Sequence, residues 1–208
     1  MIQTRVTLDL VDFDPLVRAV AGNADSPKGL EILTAIHLVV DDGRLELVAT
    51  DRYRLGVARL SGVDGKMDVL LPANELVKWV KSLTKPTRFS TNTIELVDDE
   101  YYTTMNYLVS GEQTSSIKLR KMNGNYPSIT NLPNPDSEIY LESNLSGIDG
   151  LDPKKLSSGA ELAGILTRKG SPIIIKIPAN KKPTLILVTN PISDNISYYG
   201  LVMPMRVI

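Results

Sequence analysis

The clearest structural pattern in this chain lies in the segment Ile36-His37-Leu38-Val39-Val40-Asp41-Asp42-Gly43-Arg44-Leu45-Glu46-Leu47-Val48-Ala49-Thr50. Its β-branched and apolar residues predict a strand from Ile36 to Val40 and a second strand from Arg44 to Thr50. Asp41-Asp42-Gly43 predicts a tight hairpin turn between them, because Gly supplies the positive φ that such a turn needs. A third strand is predicted from Tyr53 to Leu60, so three consecutive strands are expected.

A strand and a helix precede this hairpin. Residues Thr4 to Asp9 alternate between β-branched and polar types, which predicts a strand. Apolar residues then recur with helical spacing from Asp12 to Ala21, and predict an amphipathic helix capped by Asp12 or Asp14. The first part of the chain therefore has the order strand, helix, three strands, which we call a unit.

The same order recurs twice, at a spacing of roughly 65–70 residues. The second unit has a helix that starts at a proline, where the missing N–H costs least. Its predicted elements are the strand Met67 to Leu71, the helix Pro72 to Leu83, and strands near Arg88 to Ser90, Thr93 to Val97, Tyr101 to Val109 and Ser115 to Met122. Residues 123–136 are rich in Asn and Pro and predict a linker. The third unit is predicted as the strand Glu138 to Glu142, the helix Asp152 to Leu166, and strands Ile173 to Ile177, Thr184 to Thr189 and Ser197 to Met203.

Composition excludes several classes of protein. The chain has 208 residues, 42% hydrophobic and 23% charged, with a net charge of −1, which is ordinary for a globular protein. It has no Cys and a single His, so disulfides and thiolate metal sites are excluded. No apolar run reaches membrane-spanning length, and no signal-peptide pattern opens the chain. We expect no metal, no cofactor and no membrane partner.

Enzymatic motifs are also missing. The sequence contains no Gly-rich phosphate loop, no H-E-x-x-H and no nucleophile elbow. The carboxylate pairs Asp41-Asp42 and Asp98-Asp99-Glu100 fall at predicted turns, where solvated loops are the better interpretation. His37 is interpreted as a structural or surface residue and Trp79 as a core or interface residue. We therefore expect that the protein is not an enzyme.

The chain ends in an apolar segment, Leu201-Val202-Met203-Pro204-Met205-Arg206. Chain ends are usually polar and frayed unless they are docked. A proline inside a strand confines it to an edge or an end, and methionines suit an adaptable groove. The pattern predicts a docked strand whose side chains line a surface groove.

The tail and the first hairpin resemble motifs of the bacterial DNA sliding clamps, the β subunits of the replicative polymerase. The tail is similar to the family's Val-Met-Pro-Met-Arg-Leu, and residues 48–55 are similar to its Val-Ala-Thr-Asp-Gly-His-Arg-Leu. Tyr126-Pro127 resembles its Phe-Pro-Asp-Tyr stretch, and Asp152-Pro153-Lys154-Lys155-Leu156 looks like the start of its last helix. Arg52-Tyr53 replaces the family's Gly-His, and Ser128-Ile129 replaces its Asp-Tyr.

This resemblance implies an α+β protein with the DNA-clamp fold, built from three repeated βαβββ units with helices on one face of antiparallel sheets. It implies a complete domain of two units at residues 1–127, a linker at 128–136 and a half-domain of one unit at 137–208. Bacterial clamps have six such units in each chain and twelve in the closed ring, so this chain is shortened, and its compactness suggests a phage origin.

The resemblance also implies a site for partner peptides between the hairpin corner and the tail. The expected peptide-binding residues are Thr50, Asp51, Arg52, Tyr53, Arg54, Leu55, Pro127, Leu132, Leu201, Met203, Pro204, Met205 and Arg206. The alternative for the corner is an ordinary hairpin in which Thr and Asp bond the local backbone. The alternative for the tail is a last strand that ends at a proline.

Basic residues on two helices are the expected DNA contacts, because the helices of clamps line the central hole and touch phosphates without reading sequence. These residues are Lys78, Lys81, Lys85, Lys154 and Lys155. A solvated helix face is the alternative.

The expected function is that of a clamp-like processivity factor that tethers replication proteins to DNA in the cytoplasm. Its expected partners are the replicative polymerase and clamp loader, double-stranded DNA, and further copies of the chain. The alternative functions are a decoy module that binds the same peptides without encircling DNA, and a structural domain without a peptide site.

Overall fold

The computed structural model describes residues 4–84, 90–141, 151–178 and 182–204. These ranges contain three α-helices, named α1 to α3, and eleven strands, named β1 to β11. The helices are α1 Leu10–Ala21, α2 Ala73–Ser82 and α3 Pro153–Ile165. The strands are β1 Thr4–Asp9, β2 Ala35–Asp41, β3 Arg44–Thr50, β4 Arg54–Ser61, β5 Met67–Pro72, β6 Asn92–Asp98, β7 Tyr102–Val109, β8 Glu112–Arg120, β9 Ile173–Lys176, β10 Thr184–Val188 and β11 Ile196–Val202.

The strands form two antiparallel sheets that interlock the first two units. The smaller sheet has the order β1-β6-β7-β8, and the larger has the order β5-β2-β3-β4-β11-β10-β9. The first strand of each of these units thus pairs with the three-strand run of the other unit. Because each unit completes the sheet of its neighbour, the two fold together around a shared core.

The main core lies between the sheets and the helices. Helix α1 packs against α2 on one side and α3 on the other. Its fully buried Phe13, Leu16 and Val17 belong to the same apolar cluster as Leu47 of the larger sheet and Leu96 of the smaller one. This cluster also contains residues of α3, β10 and β11, so the core is continuous from the first unit to the third.

A second apolar cluster covers the other face of the larger sheet. It contains Leu55 and Val57 of β4 together with Leu185 and Leu201 from β10 and β11. Tyr140 is buried against this cluster, and its hydroxyl donates a 2.8 Å hydrogen bond to the carbonyl oxygen of Pro183. The predicted linker contributes Tyr126 and Ile129 to the same cluster, so part of it packs on the sheet.

The sequence predicted most of these elements to within a few residues, and the α+β clamp fold is confirmed, but three predictions need correction. Helix α1 starts at Leu10, so Asp12 and Asp14 lie inside it and neither is the N-cap. Glu138–Tyr140 forms a 3₁₀ helix instead of a strand, because Tyr140 turns inward to the second cluster. Ser90, the end of the strand predicted near Arg88 to Ser90, lies in no strand, and the other two residues of that prediction fall outside the described ranges.

The domain boundaries stay a prediction. The larger sheet passes from β4 of the first proposed domain directly to β11 of the second.

None of the helices in the described ranges combines the length and the apolar character needed to cross a bilayer.

The turn between β2 and β3 gives a stability prediction. Gly43 has φ +72°, a backbone conformation that is unfavourable for residues with a side chain. A Cβ on Gly164 in α3, by contrast, would meet no atom within 4 Å. We expect Gly43→Ala to lower the free energy of unfolding by about 1 kcal/mol and Gly164→Ala to raise it by about 0.5 kcal/mol. Urea denaturation measures both changes, and a Gly43→Ala variant as stable as the wild type would contradict the turn geometry.

Candidate functional site

The corner between β3 and β4 is a tight turn held by side-chain hydrogen bonds. The Thr50 hydroxyl donates to the carbonyl oxygen of Arg54 at 2.6 Å and accepts from the Arg52 N–H at 3.1 Å. Arg52 has φ +74°, a conformation that usually belongs to glycine, and its side chain is exposed. The turn therefore holds Arg52 in a strained backbone conformation and directs it to solvent.

Asp51 is the buried centre of this corner, with only 5% of its surface exposed. Its Oδ1 accepts the backbone N–H groups of Tyr53 at 2.9 Å and Arg54 at 2.7 Å. Its Oδ2 accepts the Arg54 guanidinium through Nε at 3.2 Å and Nη2 at 3.1 Å, and also accepts Lys155 Nζ. Burial by itself would raise the pKa of Asp51, but the Lys155 hydrogen bond, the Arg54 N–H and the Arg54 charge outweigh burial and hold the pKa below its usual value.

The same charges tie the corner to α3. The Arg54 guanidinium donates to the Ser158 hydroxyl, and Lys155 Nζ lies 5.3 Å from the centre of the Tyr53 ring. Asp152 caps α3 by accepting the N–H groups of Lys154 at 2.8 Å and Lys155 at 3.3 Å. The corner and the first turn of α3 are thus held as one piece. Lys155 has Asp51 as an internal partner, and its predicted DNA contact stays a prediction.

The tail lies directly beside this corner. β11 pairs with β4 in a register that sets Leu201 opposite Leu55 and Val202 opposite Arg54. Beyond the last pair, the Met203 N–H donates to the carbonyl oxygen of Tyr53 at 2.8 Å. The two segments that the sequence analysis linked, about 150 residues apart, are therefore adjacent in the structure.

We call Thr50–Leu55 and Leu201–Pro204 together the corner–tail surface. Leu55 and Leu201 are buried beneath it, whereas Tyr53 is 58% exposed and Met203 is 39% exposed. The predicted contacts Met205 and Arg206 lie outside the described residues. The described part therefore combines an exposed aromatic ring and an exposed thioether with two buried leucines of the adjoining strands.

The linker lies on the same sheet face. The Tyr126 ring lies 5.3 Å from the His37 ring, centre to centre. Burial raises the pKa of Tyr126 far above its usual value, and within the described ranges its buried hydroxyl meets no hydrogen-bond partner. The predicted contacts Pro127 and Leu132 follow it in the chain and are both exposed.

The surface formed by α1, α2 and α3, called the helical face, carries charges of both signs. Lys78, Lys81 and Lys154 are exposed, as predicted for DNA contacts, and Lys85 falls outside the described residues. On α1, Asp14 pairs with Arg18 at 2.9 Å. Exposed Glu75 and Glu161 accompany the lysines of α2 and α3. The face is therefore not a continuous basic surface.

An apolar cleft opens on this helical face. It has a volume of about 480 Å³ and lies between α1, the end of α2 and the segment after α3. It is lined by Leu10, Val11, Asp14, Pro15, Arg18, Val80, Lys81, Leu83, Ile165 and Ile192. Its lining thus combines apolar side chains with charges of both signs.

Other predicted side chains have structural partners. Trp79 is buried in the main core, and its Nε1 donates to the Ser115 hydroxyl at 3.2 Å. His37 Nε2 lies 2.7 Å from Asp68 Oδ1 across the β2–β5 pair. Within the described ranges, no group of three His, Asp or Glu side chains is arranged to hold a metal ion.

The fold is similar to solved sliding clamps. The β subunit of DNA polymerase III from Thermotoga maritima matches with a TM-score of 0.73 at 15% identity, over 99% of this chain and 66% of that protein. The sliding clamp of Bacillus subtilis matches with a TM-score of 0.71 at 16% identity, over 98% and 64%. A Pseudomonas aeruginosa clamp bound to griselimycin matches with a TM-score of 0.65 at 14% identity, over 99% and 66%.

These likenesses define the fold as that of the DNA sliding clamps, which confirms the resemblance at the level of structure. The chain spans a little under two-thirds of the length of those proteins. No protein-family model matches the sequence, and no curated protein does so significantly.

The buried carboxylate gives a prediction with a defined pH dependence. Because Asp51→Asn leaves Arg54 and Lys155 without their anionic partner, we expect it to lower the free energy of unfolding at pH 7 by about 3 kcal/mol. The folded pKa of Asp51 lies below its unfolded value, so the stabilisation is present above pH about 4 and is lost as pH falls through the folded pKa.

The difference between wild type and Asp51→Asn should therefore shrink below pH about 4 in urea titrations. Asp41→Asn is the matched control, because Asp41 is exposed and 3.8 Å from Lys66. That variant should be as stable as the wild type. If Asp51→Asn and Asp41→Asn lowered the free energy of unfolding equally, the proposed stabilisation by the buried cluster would be contradicted.

Proposed function

We propose that this chain is a shortened, clamp-like processivity factor that tethers replication proteins through the corner–tail surface. One observation supports this most strongly: the Met203 N–H bonds the Tyr53 carbonyl at 2.8 Å, which joins two distant motifs of the clamp resemblance into one surface. Neither motif alone would form such a surface.

The chemistry of the surface suits an extended peptide with apolar anchors. Tyr53 and Met203 offer exposed apolar area next to the paired residues Leu55 and Leu201, which are buried. Methionine adapts to several side-chain shapes, and a surface of this kind can serve related partners. The Asp51 cluster fixes the backbone beneath it, so little ordering is needed when a peptide binds.

The neighbours suggest which partners to expect. They are described as sliding clamps and as β subunits of DNA polymerase III. By analogy, the partners of this chain are a replicative polymerase and a clamp loader, and double-stranded DNA would contact the exposed Lys78, Lys81 and Lys154. In this proposal the protein acts in the cytoplasm by keeping its partners on DNA, and it catalyses no reaction.

A second function is favoured by the helical face. Its mixed charges and apolar cleft are weak features for a surface that must slide along phosphates. A module that captures clamp-binding peptides without encircling DNA would need the corner–tail surface alone.

Griselimycin, which is bound in the Pseudomonas structure, is the probe for the first test. We expect it to bind the wild type, and Tyr53→Ala or Met203→Ala to weaken binding by about tenfold through lost apolar contact. Isothermal titration calorimetry measures the change. Tyr101→Ala is the control, because Tyr101 is equally exposed but lies in the β6–β7 turn. No binding to the wild type, or equal binding by all three variants, would contradict the proposal.

Primer extension on circular DNA separates the two functions. A processivity factor should lengthen the products of a bacterial replicative polymerase, and cutting the circle should remove the effect. Because fewer phosphate contacts reduce retention, Lys78→Glu with Lys81→Glu should shorten the products, and the difference from the wild type should narrow as the salt concentration rises. A decoy would inhibit extension driven by a full-length clamp, and the lysine variants would inhibit equally well.

A further inference from the structure

Arg52 is held in a backbone conformation that is unfavourable for its residue type. Its φ of +74° lies in the left-handed region, which favours glycine. Among the described residues, the other non-glycine residues with positive φ are Asp42 and Ser110, and both are in two-residue hairpin turns that need this conformation. A long charged side chain in such a conformation is a reason to look for a function of that side chain.

The hydrogen bonds of the corner leave the Arg52 side chain free. The Arg52 N–H donates to the Thr50 hydroxyl at 3.1 Å, and the next two N–H groups donate to Asp51. The guanidinium is exposed, and among the described residues it has neither a hydrogen-bond partner nor an ion-pair partner. Its N–H donors are therefore available to a ligand.

The charges behind the corner already balance one another. A polar cavity of about 470 Å³ lies between the corner and the starts of α2 and α3. The ionisable side chains in its described lining are Asp25, Asp51, Arg54 and Lys155, two of each sign. Asp51 accepts hydrogen bonds from both cations. Arg52 therefore adds a positive charge that these carboxylates do not compensate.

This charge adjoins the apolar part of the corner–tail surface. Tyr53, the next residue, is 58% exposed, and its carbonyl oxygen accepts the Met203 N–H at 2.8 Å. Successive side chains of an extended peptide are only about 3.3 Å apart along the chain. A peptide whose apolar side chains contact Tyr53 and Met203 therefore brings a neighbouring side chain within reach of Arg52.

We propose that Arg52 makes the corner–tail surface selective for acidic peptides, in which an Asp or Glu beside the apolar anchors pairs with the guanidinium. This inference rests on the proposed function, because it requires a peptide at this surface. A guanidinium can bind a carboxylate through two parallel hydrogen bonds, and its charge repels a basic peptide side chain at the same place. The clamp motif has Gly where Arg52 stands, so the selectivity belongs to this chain and not to the fold.

Selection from a random library of seven-residue peptides tests the preference. Peptides selected on the wild type should be enriched in Asp and Glu relative to the unselected library, and those selected on Arg52→Gly should not. Glycine suits the positive φ, so this variant keeps the turn. Arg44→Gln is the control, because Arg44 is an exposed arginine at the other end of β3 and its loss should leave the enrichment unchanged.

Equal acidic content on the wild type and on Arg52→Gly would overturn the selectivity while leaving the proposed function standing. Failure to select any peptide on the wild type would overturn both. Tyr53→Ala separates the two further, because it should weaken every selected peptide. Selected peptides that bind Tyr53→Ala as well as the wild type would lie elsewhere and would contradict the proposed function.

A double-mutant cycle measures the ion pair itself. A selected acidic peptide and its Asn or Gln counterpart are titrated into the wild type and Arg52→Gly by calorimetry. The amide peptide should bind the wild type about fivefold more weakly than the acidic one, as expected for an exposed ion pair. Both peptides should bind Arg52→Gly equally, and added salt should narrow the difference in the wild type. An equal loss in both proteins would show that Arg52 is not the partner of the acid.

Urea denaturation distinguishes peptide recognition from a structural role. Arg52→Gly should not lower the unfolding midpoint, because relief of the positive φ offsets the greater freedom of glycine in the unfolded chain. A midpoint that falls clearly below that of the wild type would assign the side chain to the fold and overturn the inference.

Discussion

The pairing of β4 with β11 holds the larger sheet together. It joins the third unit to the first, makes one seven-stranded sheet from two sets of strands, and carries the tail to the corner. Gly56 and Gly200 face each other in this pair. A Cβ on Gly56 would meet the Asn23 amide at 2.2 Å, and one on Gly200 would meet the Tyr198 hydroxyl at 3.2 Å. The two glycines therefore let Asn23 and Tyr198 pack closely over the junction.

The charged cluster around Asp51 stabilises the same part of the structure. Backbone hydrogen bonds align the two strands, and the cluster of Asp51, Arg54 and Lys155 fixes the corner against α3. One buried carboxylate thus accepts from two cations and two backbone N–H groups, which compensates its loss of water. The exposed Arg52 and Tyr53 are held above this fixed base, so their backbone geometry is set before any partner arrives.

The elements predicted correctly from the sequence are those whose formation depends on neighbouring residues in the chain. The β2–β3 hairpin and the alternating strands follow from turn residues and periodicity, and the start of α3 lies within one residue of the predicted Asp152. The start of α1 was misplaced because acidic residues suit both the cap and the first turn of a helix. The partner of Lys155 is 104 residues away, and no local pattern encodes such a contact. Only the clamp resemblance predicted that the corner and the tail lie close together.

We propose that the corner and the tail act as one binding surface. Hydrogen–deuterium exchange of the wild type, with and without griselimycin, tests this proposal. We expect exchange to slow in residues 50–55 and 201–204 together, while the α1–α2 cleft is unchanged. Slower exchange at the cleft alone, or at one of the two segments without the other, would contradict it.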